Sequence, residues 1–284
     1  MTEQSKPGPI TTIRQWTAGH SIFGRLRTGL RNTAVVGLGS FSRMGRTPFC
    51  VRFPYYHHVF DDERLGFSRQ IEYLKNFGDF IGINEAVDVL TSPGKLSDQY
   101  FCLSFDDGFK SCATHATPIL AEKGVSAVFY VTSSFIGRSV PPDDPVVTDI
   151  FGYRGGANIL EFMSWEDCRQ AAAAGMEIGS HSVNHPRFAA LTEQELAGQL
   201  VQSKSEIEFQ LGRDCDHFCI PYGMALTAAN YAPLVEAAGS AGYRSIVTGV
   251  RGANFAGQDP YRIRRDHLLA NWSNAQLRYF LSKS

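Results

Sequence analysis

Two adjacent carboxylates stand where a buried strand is expected to end. Leu103-Ser-Phe-Asp-Asp-Gly-Phe109 continues the apolar run Tyr100-Phe-Cys. Neighbouring strand side chains point to opposite faces, so Asp106 and Asp107 share one site only if the chain bends between or just after them. Gly108 permits such a bend. Two carboxylates taken out of water are costly unless paired, protonated or metal-bound. A plain strand-end turn accounts for Asp-Gly equally well. A second stretch, Gly179-Ser-His-Ser-Val-Asn-His-Pro186, carries His181 and His185. A spacing of four would put both on one helix face. Gly179 before and Pro186 after favour a strand end running into a tight loop. In either geometry two imidazoles converge. With one Asp they form a two-histidine, one-carboxylate set suited to Zn²⁺ or a similar divalent ion, with positions left open for water and substrate.

These stretches carry a family resemblance. Ser104-Phe-Asp-Asp-Gly108 resembles the first motif of the polysaccharide deacetylase family, also called the NodB-homology domain or carbohydrate esterase family 4. His181-Ser-Val-Asn-His185 is similar to its second motif and Pro221-Tyr-Gly223 to the core of its third. Order and spacing agree, and the resemblance runs from about Val51 to the C-terminus. It implies a distorted (β/α) barrel with about seven strands, a divalent metal (Zn²⁺ first) and hydrolysis of an N-acyl group on a sugar. By position, Asp107, His181 and His185 become the metal ligands and Asp106 the general base. Tyr222 becomes the backbone N–H donor to the oxyanion, in a Pro221-Tyr222-Gly223 segment that touches substrate.

The chain departs from the family at the third motif. Cys219 stands two residues before Pro221, where an arginine often orients the base, and the fourth motif's Asp and Trp have no clear match. Tyr261-Arg-Ile-Arg-Arg-Asp-His267 offers replacements. Arg264 or Arg265 is expected to point into the site, with His267 as a candidate general acid. His57-His58 follows Pro54-Tyr-Tyr56, and His58 is the candidate for the site mouth. The preferred function is a metal-dependent carbohydrate de-N-acetylase acting on a polysaccharide or a lipid-linked glycan precursor. A deformylase or other non-peptide C–N amide hydrolase is the enzymatic alternative. A glycan-binding barrel without catalysis is the alternative from another class, suggested by the missing arginine.

An alternation of strand and helix must position these residues. Cys50–Tyr56 reads as the first strand, Phe67–Phe77 as a helix, and Phe80–Ile83 as a short strand. Asn84 is expected to cap a helix over Glu85–Leu90. Thr117–Lys123 reads as a helix and Ala127–Val131 as a buried strand. Gly137–Gly156, rich in Gly, Pro and Asp, reads as a long loop on the motif face that shapes a substrate groove. Ser164 caps the helix Trp165–Ala174, and Glu177–Ser180 delivers His181. Thr192-Glu-Gln-Glu195 is a capping box opening a long helix to Leu211, with Gly212 beyond its end. Strands at His217–Ile220, Tyr243–Thr248 and Tyr261–Arg264, with helices at Ala228–Ala238 and Asn274–Leu281, complete a parallel βαβ pattern.

Residues 1–48 read as a basic, partly helical extension of a catalytic barrel at 49–284. They hold Lys6, Arg14, Arg25, Arg27, Arg31, Arg43 and Arg46 against Glu3 alone. That is 7 − 1 = +6 within a chain of net charge −1. Residues 1–9 are polar and expected to be disordered. Ile22, Phe23, Leu26 and Leu30 fall at helical spacing, and the helix either caps the barrel or lies on an anionic membrane surface. The near-neutral whole gives no bulk attraction to nucleic acid. The six cysteines form no Cys-x-x-Cys and read as small buried apolar residues, not a disulfide framework. No apolar signal region is visible in the first twenty residues, so a cytoplasmic location, peripheral at the inner face of the membrane if the helix binds there, is expected.

Overall fold

In the computed structural model, seven short strands lie side by side, all parallel. The structure describes residues 7–19, 22–42, 44, 49–153, 156–223 and 228–282, excepting the side chains of 22–28 and 228–230. The strands are β2 (Pro54–Tyr56), β5 (Leu103–Phe105), β6 (Ala127–Val131), β9 (Glu177–Ser180), β10 (His217–Cys219), β11 (Ser245–Val247) and β12 (Asp266–His267). Their spatial order is β11-β10-β9-β6-β5-β2-β12. Three further strands, β1 (Val51–Arg52), β3 (Asp79–Phe80) and β4 (Tyr100–Phe101), make a small parallel sheet, and β7 (Ser139–Val140) pairs antiparallel with β8 (Leu160–Glu161).

The sheet curls until its edges meet. Val247 at the end of β11 forms a parallel bridge with Ile263, three residues before β12. Thr248 donates to the Ile263 carbonyl at 2.9 Å, Arg265 N to Val250 O at 2.9 Å, and Asp266 N to Phe53 O at 2.9 Å. Residues 263–267 therefore stitch both edges together and close the barrel. Alternation does the rest. On β5 and β6, Leu103, Phe105, Phe129 and Val131 pack with Leu120, Cys168 and Ala171 of the helical layer. Cys102, Val128 and Tyr130 turn the other way, into a smaller cluster with Phe53, Cys219, Val247 and Ile263 that fills the barrel. Burial on both faces explains why β6 is apolar throughout.

The helical layer comprises α3 (Arg64–Leu74), α4 (Ile83–Thr91), α5 (Thr117–Glu122), α6 (Trp165–Ala173), α7 (Glu193–Leu211), α8 (Ala228–Ser240) and α9 (Asn274–Leu281). Ser164 and Thr192 accept from Asp167 N and Glu195 N in the expected capping boxes, and Gly212 is left-handed at φ 63°. Four expectations need correction. Asn84 lies inside α4, which starts one residue earlier after Gly82. Asn84 Oδ1 instead meets His217 Nε2 at 3.2 Å. Tyr261–Arg264 is not a strand: Pro260–Arg262 is a helical turn started by the Asp259 cap, and only Ile263 makes a bridge. The long loop 137–156 holds β7 and a helical turn at Val146–Ile150. Gly8 and Pro9 are ordered against Ile159, whose N–H and C=O both bond the segment; residues 1–6 lie outside the described residues.

The basic extension is built onto the barrel. Its short helix α1 (Ile13–Trp16) is held by a Thr12–Gln15 capping box and by Ile13 N donating to Asp62 Oδ1 at 3.1 Å. Helix α2 (Ile22–Phe41) runs on past Leu30, the last residue of the expected apolar stripe, and lies along α9. No helix among the described residues is long and apolar enough to cross a membrane.

Candidate metal and catalytic centre

Asp106 and Asp107 leave β5 as expected, but the bend is placed at Asp107. That residue adopts φ 72°, and Gly108 repeats it. The left-handed step brings two consecutive side chains to one side. Among the described residues, the non-glycine residues in this region are Asp107, Ser182, His185 and Tyr222, all in the motif segments. Such strain persists only where surrounding structure enforces it and gathers at functional sites. His181 follows β9, and Ser182 Oγ accepts from His185 N at 3.1 Å, folding the loop so that both imidazoles face Asp107. His181 Nε2 and His185 Nε2 each lie 3.3 Å from Asp107 Oδ1.

This donor set fits a divalent cation. His181 Nδ1 meets the Cys219 carbonyl at 2.8 Å and donates there, so that in the neutral ring Nε2 is the nitrogen left to ligate a metal. His185 Nδ1 is buried without a partner among the described residues. Asp107 Oδ1 and the two Nε2 atoms thus form a compact, buried set of three possible metal ligands. Asp106, His181 and Cys219 also lie close together. Asp106, however, is already matched by Arg265 and has no need of a second cation.

While Cys219 stands two residues before Pro221, the arginine that pairs with Asp106 is Arg265. The seam gives it an inward register, while Arg264 is exposed and bonds Asn254 through its backbone. Alternation along the seam therefore decides between them, and the expectation of Arg264 in the site is withdrawn. Every guanidinium donor of Arg265 finds an acceptor. Nη1 bonds Asp106 Oδ1 at 2.6 Å and Ser104 Oγ at 3.1 Å. Nη2 bonds Asp106 Oδ2 at 2.7 Å and Cys219 Sγ at 3.0 Å. Nε bonds Thr248 O at 2.9 Å. Burial by itself would raise the Asp106 pKa, but Arg265, with smaller contributions from His181 and His57, holds the carboxyl below its usual range. The small Cys219 leaves room for this reach across the barrel.

The centre lies in a cavity of about 390 Å³ lined by Asp106, Asp107, His181, His185, Tyr222, Gly223, His57, His58 and His267, with Tyr55, Phe109 and Phe151 among the rings. Tyr222 is 37% exposed, with the Arg187 guanidinium 4.2 Å over its ring. Pro221 is buried and does not line the cavity; it sets the turn that presents Tyr222 and Gly223. His58 lies between Phe109, 3.9 Å away, and Phe60, 4.5 Å away, and burial pushes its pKa down to about 3, so it is a neutral wall residue. His267 Nε2 meets His57 Nδ1 at 3.0 Å, and burial, followed by His57 and Arg251, lowers the His267 pKa to about 3. His57 Nε2 is 3.8 Å from Asp107 Oδ2. Both His57 and the expected His58 therefore line the cavity. Ile13 and Trp16 of the extension also line the cavity, and Trp16 stacks on Tyr153 at 5.4 Å and 10°. No sequence motif marked them.

The sequence pattern of the polysaccharide deacetylase family matches residues 94–246, more than half of the 284-residue chain. The chain belongs to the polysaccharide deacetylase family. This polysaccharide deacetylase relative is 24% identical over 181 residues to YxkH of Bacillus subtilis (strain 168), covering 64% of the present chain and 56% of YxkH. It thus spans just over half the length of that relative. Among solved structures, IcaB from Ammonifex degensii is similar with TM-score 0.67 and 21% identity, covering 83% of this chain and 98% of IcaB. The deacetylase PplD of Streptococcus pyogenes, in complex with acetate, gives 0.62 at 18%, covering 84% and 99%. The deacetylase domain of BpsB from Bordetella bronchiseptica gives 0.61 at 20%, covering 79% and 97%. At such identities the likeness is one of fold, and it is that of the distorted barrel.

Proposed function

We propose that this family member removes an N-acetyl group from an amino sugar in a polysaccharide or a lipid-linked glycan precursor. The reading assigns a divalent ion, zinc first, to Asp107, His181 and His185. When bound, such an ion polarises the acyl carbonyl and lowers the pKa of water. Asp106, kept ionised and oriented by Arg265, accepts the proton of the attacking water. The Tyr222 N–H donates to the carbonyl oxygen as charge develops there. The departing amine takes a proton from the His57–His267 pair. Within that pair His57 is the donor, because it stands nearer Asp107 while His267 is held neutral behind it.

The observation that carries this reading is the fully bonded Asp106–Arg265 pair beside a three-ligand cluster. It also removes the motive for a binding-only barrel, since the arginine missing from the third motif is supplied from the seam. A cytoplasmic location is part of the proposal, supported by six free, buried cysteines. Acetate release from N-acetylated oligosaccharides, with and without chelator, tests it. Chelation should abolish release, and Asp106→Asn should cut it by about 10²–10⁴ while metal stays bound. Release of formate without acetate would favour the deformylase alternative. Loss of metal in Asp106→Asn would mean that the two carboxylates have exchanged roles.

A further inference from the structure

Helix α2 carries a face that the catalytic reading leaves without a role. Its inner side is settled by contact with α9. Val35 and Gly39 are buried, and a Cβ on Gly39 would stand 1.8 Å from the Ala275 carbonyl oxygen. Arg278 Nε donates to Gly39 O at 3.0 Å, locking the crossing. At about 100° per residue, Leu30, Ala34, Leu38 and Phe41 fall on a different stripe, turned away from Gly39. Leu30 is 74% exposed, Leu38 56% and Phe41 89%. Scattered single apolar residues on a surface are ordinary. A run of them at four-, four- and three-residue spacing along one helix is not.

Charge selects the occupant. The first 48 residues hold seven basic side chains and one acidic one, and Arg31 is exposed next to Leu30. A second copy docked face to face would bring the exposed Arg31 of each helix to the same seam. An anionic lipid surface would attract them, and an arginine stem can lie on the apolar layer with its head among phosphates.

We propose that the Leu30–Ala34–Leu38–Phe41 face docks α2 in the plane of an anionic lipid bilayer. The helix lies on the membrane, in keeping with its inability to cross one. Five residues separate Trp16, in the cavity wall, from Ile22 at the start of α2. The same N-terminal extension thus carries both a cavity-lining residue and the docking face.

Co-sedimentation of the full chain with phosphatidylcholine vesicles, with and without phosphatidylserine, tests this without reference to catalysis. Binding should require phosphatidylserine. It should fade between about 0.1 M and about 1 M salt, as the screening length falls from about 10 Å to about 3 Å. Leu38→Asp and Phe41→Asp should each lower the partition coefficient by about tenfold or more, with melting temperature unchanged because both side chains are exposed. Absence of binding to anionic vesicles at low salt would overturn the proposal, as would binding that neither substitution weakens. A parent protein that sediments as a dimer, and as a monomer once Phe41 is replaced, would give the face to a second copy.

Discussion

Arg265 is buried in the barrel with all its donors matched, and Asp106 is the charge that makes this tolerable. Removing one partner of a buried ion pair leaves the other uncompensated, at a cost of about 3–5 kcal/mol. Arg265→Met should therefore lower the unfolding free energy by about that much in urea. Adding Asp106→Asn should restore a large part of it, because no unpaired carboxylate then remains. Activity should be lost in both variants. An Arg265→Met protein as stable as the parent would show that the pair is not closed in solution. The motif carboxylates and histidines were legible from sequence because such groups at apolar strand ends demand an explanation. Arg264 and Arg265 were not separable. Adjacent residues differ only in phase, and the seam with β11 sets the phase.

At the scale of elements, the N-terminal segment splits into two devices. Residues 8–17 form a strap that pairs with Ile159 and brings Trp16 to 4.7 Å from His58 and 6.2 Å from Phe109. The strap touches the cavity but none of the proposed reacting groups. Trp16→Ala should accordingly raise KM by about three- to tenfold and leave kcat within about twofold, the pattern for lost uniform binding. A fall in kcat at constant KM would instead show that the strap positions the catalytic groups. The spacing of Ile22, Phe23, Leu26 and Leu30 led sequence reading to a helix beyond the strap, and α2 is there; the side chains of Ile22, Phe23 and Leu26 lie outside the described residues, and Leu30 is exposed. The strap itself has no period, being four helical residues and a bridge, too short to hold without the surface beneath it.

For the molecule as a whole, a single buried carboxylate should write a pH dependence into stability. Glu63 stands at the start of α3, 3% exposed, beside both the catalytic cavity and the strap. Burial pushes its pKa up to about 7 from 4.5, against hydrogen bonds from Phe60 and Asn271 that pull it down. A raised folded-state pKa means that the folded protein holds a proton the unfolded chain has released. This contribution is complete below about pH 4.5 and lost as pH rises through about 7. Between pH 5 and pH 8 the parent should thus lose up to about 3 kcal/mol relative to Glu63→Gln, which keeps an acceptor for the Phe60 N–H. Chemical denaturation of both proteins at the two pH values measures it. Parallel pH profiles would mean that Glu63 is solvated or paired.

The sequence alone determined the composition of the centre and the type of fold. Asp106, Asp107, His181, His185 and the Pro221-Tyr222-Gly223 turn lie within short local segments whose glycines, prolines and apolar runs announce strand ends. The same alternation of apolar runs and capping boxes specifies parallel βαβ units, since each signal is carried by neighbours in the chain. Tertiary structure alone decided what depends on closure. Arg265 meets Asp106 across 159 positions, and His57 meets His267 across 210. Both pairs exist because β12 returns beside β2 while Ile263 joins β11. No local pattern encodes a contact made only when the two edges of a curled sheet are brought together.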